Sequence, residues 1–299
     1  MEERINAMDK SSRQLAYRIG DKGQEVGRLQ NALNQKGLSL KQDGDFGPKT
    51  ESELKVFQKG AGLVVDGVSG EKTRKALGIE MYFGIDVSHW NGNIRWGNVD
   101  SDEVDFVWAK ISQGVNYSDP RAKENLEGCR DNGIRVGGYH FPSPQIGGSG
   151  DPKREVLEFL KYYGGSIPLG DMIPVLDLEA GVKGDPDYNR QWALEWLKEL
   201  EGETGIRALV YTAKWYVYGY LKNKVGDLKN YPLWVADYTK PQASGGRNGP
   251  DSTCGWNEWA VWQWSSKGTV RGLSSTGIRR CDVNWLPGGH GKLESLIVR

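Results

Sequence analysis

Met172-Ile173-Pro174-Val175-Leu176-Asp177-Leu178-Glu179 is an apolar stretch that ends in two carboxylates with one residue between them. Read as a strand over 172–178, it alternates faces. Asp177 and Glu179 then point the same way, roughly 6 to 7 Å apart for a rise of about 3.3 Å per residue. Two like charges that close, at the end of a buried strand, cannot both ionise cheaply. One pKa rises, and the pair divides into an acid and a stabilising anion. Glycoside hydrolysis needs such a pair. A solvated strand end carrying two acids without chemistry has the same local pattern.

Working outward from this stretch, the chain from residue 81 onward reads as short strand-like runs separated by helical ones. Strands are expected at 82–87, 106–111, 136–141, 172–178, 208–212, 233–236, 260–264 and 281–283. Helices are expected at 120–132, 152–163, 188–204 and roughly 214–223, with Asp119 and Asp151 as caps before their prolines. That alternation argues for a parallel barrel. After Tyr238 the helical runs give way to Gly- and Ser-rich stretches, so the barrel is expected to be irregular on its C-terminal side.

Before residue 80 the pattern is different. Asp43-Gly44-Asp45-Phe46-Gly47-Pro48-Lys49-Thr50 is echoed by Asp66-Gly67-Val68-Ser69-Gly70-Glu71-Lys72-Thr73. Each copy offers glycine for a tight turn with positive φ and then a polar residue able to start a helix. Val26, Leu29 and Leu33 mark one apolar helix face over 22–35, and Leu54 and Phe57 mark another. The fold class expected for the whole chain is therefore α/β: a modified, irregular TIM-like (β/α) barrel over 80–299, with a small all-α domain over 1–79.

Composition narrows the partners. The 299 residues carry 39 basic and 39 acidic side chains, so bulk charge gives no reason to expect nucleic acid or a membrane surface as a partner. Residues 1–78 hold 14 Lys and Arg against 11 Asp and Glu, which leaves 25 against 28 for the remainder. A difference this small does not define a partner. Cys129, Cys254 and Cys281 are too few for a disulfide framework and read as free thiols, with a Cys254–Cys281 bridge as the alternative. The first 20 residues lack the apolar core of a secretory signal, and no stretch approaches the roughly 20 apolar residues of a membrane span. The protein is expected to stay inside the cell that makes it, and to be a monomer without membrane insertion.

The N-terminal residues carry a resemblance. Gly20-Asp21-Lys22-Gly23, Val26, Leu29-Gln30, Leu33, Gly37, Asp43-Gly44-Asp45-Phe46-Gly47, Thr50, Phe57-Gln58, Gly62-Leu63, Asp66-Gly67, Gly70 and Thr73 resemble the helical peptidoglycan-binding domain found beside many cell-wall hydrolases. The likeness covers nearly all of 18–78. It implies that this part binds the wall polymer and performs no chemistry.

In parallel barrels the chemistry gathers at the C-terminal ends of the strands. Here those ends carry Asp86, Ser112, Tyr139 with His140, Asp177 with Glu179, Tyr211, Trp234 with Asp237, Gln263 with Trp264, and Asp282. All 12 tryptophans lie after residue 80, which suits a cleft that stacks sugar rings on aromatic faces. Trp192 and Trp196, four apart with Leu200, read instead as a helix face packed on the barrel.

A second resemblance enters at these residues. The runs 83–92, 106–112, 137–141 and 174–179, with Trp262-Gln263-Trp264 and Cys281-Asp282-Val283-Asn284, resemble glycoside hydrolase family 25 in order and spacing. That family consists of muramidase-type lysozymes on a modified barrel, cutting the β-1,4 bond between N-acetylmuramic acid and N-acetylglucosamine. The resemblance implies Glu179 as proton donor, Asp177 as its stabilising partner, and Asp86 and Asp282 as the other two acids of the cleft. Tyr139, Tyr211, Trp234, Asp237, Gln263 and Trp264 are the candidate sugar contacts. Net retention is expected, with either Asp177 or the substrate's own 2-acetamido group as nucleophile. No cofactor is implied. His89 and His140 lack a two-histidine spacing such as His-Glu-x-x-His, so no catalytic metal is expected.

Together the two resemblances describe a modular bacteriolytic hydrolase. Without a signal peptide, its expected setting is that of a bacteriophage endolysin, held in the host bacterial cytoplasm before lysis and then acting on the cell wall. The alternatives are a catalytically inactive wall-binding protein and a wall amidase or peptidase, the last without a nucleophile constellation in the sequence.

Overall fold

The computed structural model describes residues 16–79, 81–99, 104–145, 150–239, 249–270, 272–273, 280–287 and 290–299. Residues 1–15, which belong to the expected all-α domain, lie outside the described residues. The chain forms two compact units, with the first break between Met81 and Tyr82.

The N-terminal unit carries helices α1 (Gln24–Gln35), α2 (Pro48–Gly60) and α3 (Glu71–Leu77). Val26, Leu29, Leu33, Phe46 and Leu54 are fully buried among them, while Phe57 is only partly so. The repeat has a physical basis that its Asp-Gly pattern only half shows. In the first copy Gln30 Nε2 donates to Asp43 Oδ1, Asp45 O and Thr50 Oγ1, and Gly44 N–H donates back to Gln30 Oε1. In the second, Gln58 Nε2 donates to Asp66 Oδ1, Val68 O and Thr73 Oγ1, and Gly67 N–H donates to Gln58 Oε1. Each turn is thus fastened by one buried amide from the preceding helix. Gly47 and Gly70 are the N-caps, without a side-chain cap, and the polar residues Thr50 and Thr73 fall at the third position of their helices, where the glutamines engage them. Gly44 sits at φ +70, where a Cβ would meet Gly23 O at 2.8 Å, so glycine is required there.

The second unit is a closed barrel. Its strands are β1 (Met81–Val87), β2 (Phe106–Gln113), β4 (Arg135–Phe141), β5 (Val175–Asp177), β6 (Leu209–Ala213), β7 (Leu233–Ala236), β8 (Val261–Thr269) and β9 (Arg280–Pro287), while the two-residue β3 (Tyr117–Ser118) forms a hairpin on β2. The order β1-β9-β8-β7-β6-β5-β4-β2 closes through β1–β2 pairing. All eight expected strands are present. Apart from the β3 hairpin, neighbouring strands from β1 through β8 run parallel, but β9 returns antiparallel to β8. The irregularity expected on the C-terminal side is found as a reversal of strand direction. Ten residues separate the end of β8 at Thr269 from the start of β9 at Arg280, too few for the crossover of a dozen or more that parallel pairing needs, so β9 runs back along its neighbour.

Helices α4 (Ala122–Asp131), α5 (Pro152–Tyr162), α6 (Pro186–Thr204) and α7 (Lys214–Gly219) accompany the earlier strands, and α8 (His290–Glu294) lies near the C-terminus of the chain. Asp151 caps α5, accepting from Lys153 N and Arg154 N. Asp119 does not cap α4, whose N-cap is Arg121. It accepts from the backbone N–H of Arg121 and His89. Trp192 and Trp196 are buried on α6 as read from their spacing, and Trp196 stacks on His140 at 5.4 Å. Phe106 meets Trp108 edge-on at 5.2 Å, and Trp108 meets Trp234 in a tilted contact at 4.8 Å. Gly84 on β1 makes room for the Phe106 ring, since a Cβ there would lie 2.1 Å from it. The three cysteines are free and buried.

Candidate active site

The strand reading of Asp177 and Glu179 needs one correction. β5 stops at Asp177, and the chain then makes two successive i→i−2 hydrogen bonds, Leu178 N to Leu176 O at 3.1 Å and Glu179 N to Asp177 O at 3.0 Å. These are tight γ-type turns, so the regular strand rise does not apply between the two acids. The turn is held by Leu178 N donating to Tyr211 O at 2.8 Å and Thr212 Oγ1 donating to Leu178 O at 2.9 Å. Both carboxyls still face one cleft.

That cleft, of about 220 Å³, is lined by Asp86, Tyr139, Val175, Asp177, Glu179, Tyr211, Trp234, Tyr238, Gln263 and Asp282. It lies at the C-terminal ends of the parallel strands, where βα-barrels place their sites. Eight of the ten candidate residues read from sequence are gathered here. The other two are not. Asp237 is turned into the loop that follows β7: its Oδ2 accepts from Ser252 N, and its backbone O takes the Trp262 indole N–H. Trp264 follows Gln263 on β8 and so faces the opposite side of the strand, where it is buried.

A polar belt crosses the cleft floor. Trp234 Nε1 donates to Asn284 Oδ1 at 2.9 Å, and Asn284 Nδ2 donates to Asp86 Oδ2 at 2.8 Å. From the other side Gln263 Nε2 donates to the same Asp86 oxygen at 2.9 Å, while Gln263 Oε1 accepts from the hydroxyls of Tyr211, at 2.9 Å, and Tyr238. An indole is a donor only, so it fixes the Asn284 amide with its oxygen toward Trp234 and its nitrogen toward Asp86.

Asn284 and Tyr238 were not read as site residues. The signal was in the alternation, since Tyr238 shares the parity of Trp234, and Asn284 that of Asp282. Lys110, within the 106–112 run, is a further residue outside the sequence candidates. It points up β2 with Phe106 and Trp108, and its charge acts on Asp177 and Glu179. The bulge between Lys110 and Ser112 then re-aims the chain, so Ser112 faces His140 instead.

Electrostatics follow from four carboxyls in a confined space. Burial first, then Asp282, push the Asp86 carboxyl well above the usual range, against the two amide donors that favour its anion. Burial and the charges of Glu179 and Asp86 push Asp177 up as well, with Lys110 opposing, and Asp177 Oδ1 is buried without a hydrogen bond from the described residues. Glu179 is raised by burial and Asp282, again opposed by Lys110. Asp282 is pushed up to about 6 by burial. Burial beside other acids thus works against the Asp177 anion, and the charge of Lys110 works for it.

Among the described residues, no group of three or more His, Cys, Asp or Glu side chains is placed to hold a metal, and no helix is long and apolar enough to cross a membrane.

A closed barrel whose strand ends converge four acids, two amides and three tyrosines is a glycosidase architecture. The family model described as glycosyl hydrolases family 25 matches residues 85–273, and one described as a putative peptidoglycan binding domain matches residues 22–77. The chain belongs to glycosyl hydrolase family 25. It is 30% identical over 198 residues to lysozyme M1 of Streptomyces globisporus, covering 64% of each chain, and 26% identical over 195 residues to the autolytic lysozyme of Clostridium acetobutylicum, covering 64% of this chain and 53% of that one. The match thus spans less than two thirds of these relatives' own length. Among solved structures, the bacterial lysozyme from Streptomyces coelicolor is 27% identical with a TM-score of 0.61, covering 72% of this chain and 96% of that one.

Proposed function

We propose that this protein is a muramidase, hydrolysing the β-1,4 bond between N-acetylmuramic acid and N-acetylglucosamine in bacterial peptidoglycan. The observation that carries the reading is the cluster of Asp86, Asp177, Glu179 and Asp282 in one cleft at the strand ends, in a chain whose residues 22–77 match a peptidoglycan-binding family. The proposed division is residues 1–79 as wall-binding domain and 80–299 as catalytic domain, acting as a monomer. Glu179, raised by its surroundings, holds the proton that goes to the leaving glycosidic oxygen. As the acetamido oxygen of the substrate bonds to C1, the leaving group departs; water, losing its proton to the Glu179 carboxylate, then displaces that oxygen from C1, and the two inversions give retention. The buried, unpartnered Asp177 Oδ1 is an acceptor waiting for a donor. The 2-acetamido N–H of the substrate supplies one. Accepting it favours the Asp177 anion and orients the acetamido oxygen for attack on C1, with Asp86 and Asp282 offsetting positive charge on the sugar.

The setting proposed is that of a phage endolysin, held in the host cytoplasm until the membrane is permeabilised. Mass spectrometry of fragments released from purified peptidoglycan tests the chemistry. New N-acetylmuramic acid reducing ends, absent with Glu179→Gln, are expected. Cleaved stem peptides on intact glycan would indicate an amidase instead, and no release would indicate a wall-binding protein only.

A further inference from the structure

Beyond the acid cleft, a second cavity of about 430 Å³ opens on the β1–β2 side of the barrel mouth. Its wall is an exposed aromatic step. Trp90, shortly after β1, is 82% exposed, and the backbone that carries it is held: its N–H donates to Ser88 Oγ at 3.3 Å, and Ser88 N–H donates to Asn91 Oδ1 at 2.9 Å. The indole rests on His89 at 4.6 Å, and His89 is locked by Asp119, its Nδ1 lying 2.7 Å from Oδ2, and by the Tyr117 hydroxyl at 3.1 Å. The polar side is supplied by Gln113 and Asn116. Lys110 joins this cavity to the acid cleft: its Nζ donates to Gln113 Oε1 at 2.8 Å, and its charge acts on Asp177 and Glu179.

Among the described residues the exposed aromatic side chains are Trp90, Tyr117, Trp215, Tyr218 and Tyr238. Trp90, Trp215, Tyr218 and Tyr238 follow the ends of β1, β6 and β7, and Tyr117 lies in the hairpin after β2. Of these, Tyr238 lines the acid cleft, and Trp90 and Tyr117 line the second cavity. An exposed indole resting on a held imidazole, with amides beside it, suits a ring that has an apolar face and a hydroxyl edge.

We propose that the Trp90–Tyr117 cavity is a distal saccharide subsite, holding a sugar of the same glycan strand beyond the two that flank the scissile bond. The inference rests on the muramidase reading and adds to it where the strand runs: from the acids toward β1 and β2, past Lys110. Filling this subsite favours cleavage at bonds that leave a sugar in reach of Trp90.

The test is the distribution of cleaved bonds along a stem-free, reducing-end-labelled oligomer of alternating N-acetylglucosamine and N-acetylmuramic acid, long enough to offer several scissile bonds. The native protein should prefer one bond, and Trp90→Ala should reduce that preference by about tenfold, the ratio that a lost contact of ordinary strength gives. Trp90→Phe, which keeps an aromatic face, should retain most of it. An unchanged distribution in Trp90→Ala overturns the proposal, and so does an effect seen only on strands that carry stem peptides. If the native protein releases no reducing ends at all, the muramidase reading fails separately. Binding of the labelled strand to Glu179→Gln with and without Trp90→Ala, read by fluorescence anisotropy, then decides the subsite: about tenfold weaker binding supports it, and equal binding overturns it.

Discussion

Gln263 and Asp86 meet across the barrel mouth, the amide nitrogen donating to Oδ2 at 2.9 Å, although they lie 177 residues apart in the chain. The contact joins β8 to β1 and passes the hydroxyls of Tyr211 and Tyr238 into the same network. Gln263→Glu keeps the shape but replaces the donor with a fifth acid. Asp86 then loses one of its two amide partners and gains a repulsive neighbour. We expect kcat/KM for glycan cleavage to fall by on the order of 100-fold, comparable to the loss of one preorganised donor. Reducing-end release against time measures it. An activity within a few-fold of native would show that the belt is structural only.

The cluster should cost stability when it ionises. Asp282 is pushed up to about 6, from an ordinary 3.8. Between these two values the folded state holds a proton that the unfolded state has lost, so stability falls as pH rises through that window and stays low above it. Removing the charge should reverse this. Asp282→Asn is expected to be more stable than the native protein at pH 8, by on the order of 2 kcal/mol, and no more stable at pH 4. Thermal unfolding at the two pH values decides, and equal melting temperatures at pH 8 would count against the crowded-acid account.

The strands were legible because each is a short β-branched or aromatic run ending in a polar residue, and the acids at those ends marked the mouth. What escaped has identifiable causes. Two residues make β3, too few for a pattern. β5 is three residues rather than seven because Pro174 cannot donate to a ladder, while Met172 and Ile173 bond to Val136 and Leu296. Strand direction leaves no trace in period-2 alternation, so the reversed β9 was invisible. Asp237 and Trp264 were read as site residues from their nearness to Trp234 and Gln263, whereas alternation excludes the neighbours and selects Tyr238 and Asn284.

Gln30 and Gln58 carry a similar lesson for the N-terminal unit, since a glutamine beside apolar helix positions reads as neutral in sequence. Each is 1% exposed and serves four hydrogen bonds. Gln58→Ala strands the buried Gly67 N–H and Thr73 hydroxyl without their partner. The expected loss is about 3 kcal/mol from this unit, at 1–3 kcal/mol per stranded group. Calorimetry should show a lower-melting transition, with cleavage of soluble glycan oligomers retained.

A Ser–His–Glu chain lies outside the cleft and bears on the amidase alternative. Ser112 Oγ is 2.8 Å from His140 Nδ1, and His140 Nε2 is 2.8 Å from Glu155 Oε2. By composition this is a hydrolase triad, which the sequence reading did not anticipate. Its surroundings argue otherwise. All three side chains are fully buried, His140 is sandwiched near Trp196 and Phe159, and burial holds its pKa below the ordinary value. A nucleophile needs a substrate within reach, and no ligand reaches Ser112 without opening the layer between β2, β4 and α5. Glu155 also accepts from Ser143 N, so the chain serves to fasten the loop after β4 to that layer. Ser112→Ala is therefore expected to leave hydrolysis of purified wall within about threefold of native and to reduce stability by about 1 kcal/mol. A triad nucleophile would lose a factor on the order of a million in kcat on the same change, so one turnover assay separates the two roles.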